Sequence, residues 1–113
     1  MVKKSNEWLL SKIANEISEI EQVVNHITYE KFVEDFRDKK TVVMSLINIG
    51  ELAKFLSDDI VATSNIPFRK IIGLRNRAAH GYLDLKFDQI WVTATQSLPE
   101  LKIEVEKLIQ KII

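Results

Sequence analysis

The sequence predicts an all-α protein, an antiparallel bundle of four main helices with one short additional helix. Three observations carry that prediction. Apolar residues recur at spacings of three and four along several long segments, no segment shows the period of two of a half-buried strand, and the residues between the periodic segments are of helix-cap type. The 113 residues suit one domain spanning 1–113, and with 46% apolar and 28% charged residues the chain can bury a modest core without disulfides or metals.

Each element has its own signature. From about Asn6 to His26, Leu10, Ile13, Ile17, Ile20, Val24 and Ile27 alternate spacings of 3 and 4, a narrow apolar seam on one helix, with Ser5 or Asn6 as its cap. Thr28 to Asp38 places Phe32, Val33 and Phe36 at helical spacing and reads as the short helix. Lys40 to Ser57 is the second long helix, carrying Val42, Leu46, Ile49, Ala53 and Leu56 on one face. Gly50 interrupts it at a cost of roughly 1 kcal/mol relative to alanine, which predicts a close helix crossing there. Asp58 to Asn65 reads as a polar connection. Pro67, with a φ suited to a first turn, opens a third helix that runs to Ala79 or His80 and stops at Gly81. A further helix covers Asp88 to Ser97, and Pro99-Glu100 opens the last one, with Leu101, Val105, Leu108 and Ile112 on one face.

Composition excludes several functions. With no cysteine and two histidines there is no thiolate nucleophile, no disulfide framework and no dedicated transition-metal site, and a reducing, cytoplasmic setting is expected. The basic start, Met1-Val-Lys-Lys, leads into no signal-peptide apolar run, and no stretch reaches the roughly 18 apolar residues of a membrane span. Sixteen basic residues balance sixteen acidic ones. Between Asp59 and Asp84, however, there is no acidic residue, while Arg69, Lys70, Arg75 and Arg77 fall there, so positive charge is concentrated on one element as a phosphate-handling protein requires.

That element ends in Gly73-Leu-Arg-Asn-Arg-Ala-Ala-His-Gly-Tyr82, which gathers two guanidiniums, an amide, an imidazole and a phenol around a helix end. A phosphodiester is the substrate these groups suit. Neutral imidazole accepts a proton from a ribose 2′-hydroxyl near pH 7, and a fixed guanidinium pairs with the charge that develops on the phosphate. His80 lies about 140° from Arg75 on an ideal helix, whereas Asn76 and His80 share a face. Transesterification needs both a base and an acid, and a two-fold dimer would supply a second His80 and a second Arg75 to one cleft. The same residues also allow a plainer account, in which His80 before Gly81 only complements the helix dipole. His26, with no companion ligand, reads as structural. On the second long helix, Asn48 and Glu51 interrupt a face shared with Met44 and Phe55, so a Glu51 pair with Arg75 or Arg77 and a solvated helix face both remain open.

The block Arg75-Asn76-Arg77-Ala78-Ala79-His80-Gly81-Tyr82 matches the R-x4-H motif of HEPN ribonucleases, and its H-x-Y extension resembles the HepT toxins. Asn48-Ile49-Gly50-Glu51, Ile66-Pro67-Phe68-Arg69, Ile71-Ile72-Gly73-Leu74, the Trp91 helix and Leu98-Pro99-Glu100-Leu101 look like the same family, so the resemblance covers nearly the whole chain. It implies a HEPN-like fold and a dimeric, metal-independent endoribonuclease toxin of a type VII toxin–antitoxin pair, with no cofactor. Arg75 and His80 are carried over as catalytic, and Asn76 as an orienting or substrate-contacting group. Tyr82 is carried over as the residue on which a minimal nucleotidyltransferase antitoxin places AMP. Arg77 and Glu51 join the site as substrate-binding or orienting residues on the charge argument above. The expected partners are RNA, either tRNA or mRNA, the nucleotidyltransferase and a second copy or higher assembly. A competing reading makes the chain a non-catalytic helical partner that presents a nucleotide or phenol to the nucleotidyltransferase, and a third a purely structural bundle.

Overall fold

The computed structural model describes residues 4–112; the start of the chain, Met1 to Lys3, on which the basic-leader reading partly rests, lies outside them. Among the described residues all regular structure is helical: α1 (Asn6–Val24), α2 (Tyr29–Glu34), α3 (Phe36–Ala53), α4 (Asp58–Thr63), α5 (Phe68–His80), α6 (Phe87–Val92) and α7 (Leu98–Ile112). None of these helices is long and apolar enough to cross a membrane.

α1 starts where Ser5 Oγ accepts from the Trp8 amide at 3.1 Å, one of the four amides that a helix leaves unpaired. It buries Leu9, Leu10, Ile13, Ile17, Ile20 and Val24, the seam read from the sequence. α3 packs along α1 with Val42, Val43, Leu46, Ile49 and Ala53 buried, and α7 closes the other side with Leu98, Leu101, Val105 and Leu108. Burial of one such side chain is worth roughly 1.5–3 kcal/mol, so this three-helix seam is the centre of stability. Polar clasps tie its ends: Asn6 and Ser57 exchange two hydrogen bonds at 2.9 and 3.0 Å, and Lys102 Nζ donates to Glu21 at 2.8 Å. The Glu21 carboxylate raises the Lys102 pKa above its usual value. With the folded pKa raised, that contribution is complete below the unfolded value and is lost as pH rises through the folded one.

The structure corrects three expected boundaries. Phe36 belongs to α3, because Asp35 takes extended backbone angles that end α2 and its Oδ1 accepts from the Arg37 and Asp38 amides at 2.9 and 3.1 Å. Asp35→Ala should therefore cost about 1 kcal/mol of stability, read as a lower urea midpoint at unchanged slope. The stretch expected as a polar connection contains α4, anchored by buried Ile60 and favoured by Asp58 and Asp59 in its first turn. Finally, α6 and α7 are continuous rather than separated. Thr93–Ser97 forms a wide π-type turn in which the Leu98 amide donates to the Thr93 carbonyl and Thr95 Oγ1 donates to the Trp91 carbonyl at 2.7 Å. Pro99 lacks an N–H and its ring would crowd the preceding turn, and the wider turn carries the helix past it.

Candidate active site

The site is built on the crossing of α3 and α5. Gly50 is buried at that crossing, and a Cβ placed on it would lie 2.8 Å from Arg75 Cγ, closer still to Arg75 Cβ, and 3.4 Å from the Ile71 carbonyl oxygen. The glycine is thus what lets α5 lie close enough to α3 to seat Arg75. Once seated, the guanidinium forms an ion pair through Nη2 with Glu51 Oε1, and Nη1 donates to Asn76 Oδ1 at 2.8 Å. Arg75 Nε is buried without a partner. A carboxylate and an amide oxygen thereby fix the plane of a mostly buried guanidinium, which restricts the directions in which it can meet a phosphate. Of the two sequence alternatives for Glu51, the pair with Arg75 is the one formed. Asn48 does not join it: its Nδ2 donates to Glu16 Oε1 on α1 at 3.0 Å.

His80 stands at the last position of α5, exposed, with Gly81 following and the Gly81 amide donating to the Arg77 carbonyl at 3.0 Å. The imidazole opens on a groove of about 1360 Å³ between α5 and the α6–α7 helix, on the side of α5 away from Glu51. Arg77 borders the same groove; its guanidinium folds back past Gly73, where an added Cβ would sit 3.8 Å from Nη1. Arg75 is absent from that lining. Within one chain, then, Arg75 and His80 serve two sides of α5, as their angular offset requires, and no hydrogen bond joins them among the described residues.

The groove has an apolar floor that includes Leu46, Ile49 and Leu74, and along α5 its rim is basic, with Arg69, Lys70 and Arg77. Sequence reasoning counted Arg69 and Lys70 only as charge. It missed Lys86 on the opposite rim, and the acid-free interval ending at Asp84 stops just short of it.

Tyr82 opens a short 3-10 turn, Tyr82–Asp84, directly after the Gly81 stop. Its ring meets Phe87 edge-on at 5.6 Å, and Phe87 in turn lies 4.9 Å from the Lys39 ammonium. Partial burial raises the phenol's pKa above its usual value, so it is neutral at physiological pH.

The Ribonuclease HepT-like family model matches residues 13–108, which include every site residue described above. Among curated proteins, "Putative RNase MJ1216" of Methanocaldococcus jannaschii is 32% identical over 99% of this chain and 93% of its own length. "Probable ribonuclease HepT" of Thermococcus cleftensis is 31% identical over 95% of this chain and 98% of its own. A protein of Caldanaerobacter subterraneus, "Putative RNase TTE0752", is 32% identical over 90% of this chain and 92% of its own. No solved structure matches the chain. By its sequence over nearly its full length, and in keeping with its all-helical fold, the chain belongs to the HepT-like ribonuclease family and so to the RNA-cleaving enzymes.

Proposed function

We propose that this protein is a metal-independent endoribonuclease toxin of a type VII toxin–antitoxin pair, acting in the cytoplasm as a two-fold dimer. The observation that carries the reading is the seating of Arg75: one guanidinium, held by Glu51 and Asn76, on a helix that finishes five residues later in an exposed imidazole, beside a groove whose α5 rim is basic. His80 accepts the proton of a ribose 2′-hydroxyl, the 2′-oxygen bonds to the adjacent phosphorus, and the 5′-oxygen leaves with a proton from the partner subunit's His80. The products are a 2′,3′-cyclic phosphate and a 5′-hydroxyl. Arg75 stabilises the charge that builds on the non-bridging oxygens, while Arg77 holds the strand in the groove. The dimer supplies what one chain lacks, since each chain brings a single histidine to this helix end.

Tyr82 is the off switch in this reading. Its Oη bonds to the α-phosphorus of a nucleoside triphosphate brought by the nucleotidyltransferase antitoxin, the α–β anhydride breaks to release pyrophosphate, and the phenolic proton passes to a base of that partner. The resulting phosphodiester sits two residues from His80, where it opposes RNA entry by bulk and by charge.

The deciding experiment incubates the unmodified protein, its Tyr82 verified by intact mass, with tRNA and total RNA in chelator. Cleavage with cyclic-phosphate ends is expected. RNA left intact by the unmodified protein would transfer the assignment to a non-catalytic partner of the nucleotidyltransferase.

A further inference from the structure

The groove between α5 and the α6–α7 helix extends well past the residues that the chemistry uses. Its two walls run antiparallel from the turn that joins them, so His80 lies at the joined end. Arg69, eleven residues earlier on α5, lies about 16 Å away toward the open end. Over that length the floor is aliphatic: Leu46, Ile49, Leu98 and Leu101 are buried, and Ile71 and Leu74 are half-buried beside them. On α7, Ile103 stands at the rim at 53% exposure. At the open end the rims carry opposite charge, Arg69 and Lys70 on α5 against Glu100 and Glu104 on α7. Among the described residues no ion pair spans the groove. Glu104 meets Lys107 of its own helix at 3.5 Å, and Arg69, Lys70 and Glu100 form none.

These features select among occupants. An RNA strand stacks its bases on aromatic rings, and among the described residues no Phe, Tyr or Trp lines the groove. Toward the open end its phosphates would also meet the Glu100 and Glu104 carboxylates. An aliphatic cleft between two helices suits the Leu and Ile side chains of a third, whose polar flanks then reach both rims. Such a helix gives each rim the counter-charge that it does not find across the gap. We infer that the groove seats an amphipathic helix of a partner protein, about three turns long, with acidic residues along the edge that meets α5 and basic residues along the edge that meets α7. Turning a helix of this kind end for end exchanges its edges, so the sorted rims also fix its direction.

Seated there, the helix reaches Arg77 and His80 at the joined end and takes the place of RNA. That consequence rests on the nuclease reading above, whereas the docking rests on the groove alone.

The probe is a synthetic helical peptide of about 14 residues with leucines on one face, glutamates along one edge and lysines along the other. Its control has the same composition with the charges mixed on both edges. The sorted peptide should bind about tenfold tighter than the control or better, and at saturation it should suppress RNA cleavage. Arg69→Glu/Lys70→Glu, at two exposed positions, should remove that preference. Adding Glu100→Lys/Glu104→Lys should restore it with the peptide reversed, read from which nitroxide-labelled end broadens the His80 NMR signals. In an Ile103→Cys protein, which has no other thiol, the sorted peptide should shield the thiol from alkylation. Equal affinity for the two peptides, or binding of neither, overturns the proposal. A thiol shielded in the protein alone and freed on dilution overturns it in favour of a second copy. One shielded only by a 2′-O-methyl RNA overturns it in favour of the substrate. RNA left uncut by the protein without peptide defeats the nuclease reading instead, and the peptide affinities still decide the docking.

Discussion

Alanine at position 80 is expected to slow RNA cleavage by about 10²–10⁴-fold while leaving stability within about 0.5 kcal/mol of wild type. The two effects separate because His80 is exposed at a helix end: its imidazole borders the groove and carries no packing. Arg75→Ala is expected to cost about 10²–10³-fold in kcat, the usual worth of a positioned group that meets transition-state charge. It should also lower stability by a small amount, since it leaves the Glu51 carboxylate with only the longer Lys54 contact at 3.8 Å. Arg75→Lys should not restore the rate, because a lysine keeps the charge but cannot pair with Glu51 and Asn76 in one plane. Glu51→Gln separates orientation from chemistry: the amide still accepts from Arg75, and the rate should fall far less than in Arg75→Ala. Single-turnover cleavage with matched melting curves decides these points. An active His80→Ala protein would remove the imidazole from the mechanism.

Most of this architecture is legible in the sequence because the information is local. The α1 seam, the α3 core face and the α7 face each repeat at spacings of 3 and 4, and the structure buries nearly all of those residues. Gly50 predicted a close crossing, and Arg75 is what crosses it. The misread segments depend on signals of another kind. Asp35 divides α2 from α3 through a side-chain cap inside a run whose apolar spacing alone looks continuous. Asp58-Asp59 after Ser57 is a helix-start pattern hidden in a polar stretch, and only the burial of Ile60 makes it a helix. Pro99 looks like a fresh start, yet the π turn before it keeps the helix continuous. At the site, the residue types and the angular offset of Arg75 from His80 were readable. The assignment of each to a different side of α5, and of Asn48 to Glu16, depends on which helices flank α3, and spacing within one helix does not contain that.

The same substitution at two glycines is expected to have opposite signs, and the contrast measures the crossing that seats Arg75. In a helix interior alanine is favoured over glycine by about 0.5–1 kcal/mol when nothing opposes it. At Gly73 nothing does: the added methyl meets only the tip of the flexible Arg77 side chain at 3.8 Å, and Gly73→Ala should stabilise by up to about 1 kcal/mol. At Gly50 the methyl would run into Arg75 Cβ and Cγ, and the Cβ is fixed to the α5 backbone, so no rotamer change can move it clear. α3 and α5 must then separate, and overpacking of this kind costs roughly 1–3 kcal/mol, more than the helix preference returns. A net loss of about 1–2 kcal/mol corresponds to a melting point lower by several degrees, at about 4–8 °C per kcal/mol in a domain of this size. Because the displaced atoms belong to Arg75, the Gly50→Ala protein should also cleave RNA more slowly at temperatures where it remains fully folded, whereas Gly73→Ala should retain its rate. Stabilisation at both positions would mean that α5 is not held tightly against α3, and Arg75 would then owe its position to Glu51 and Asn76 alone.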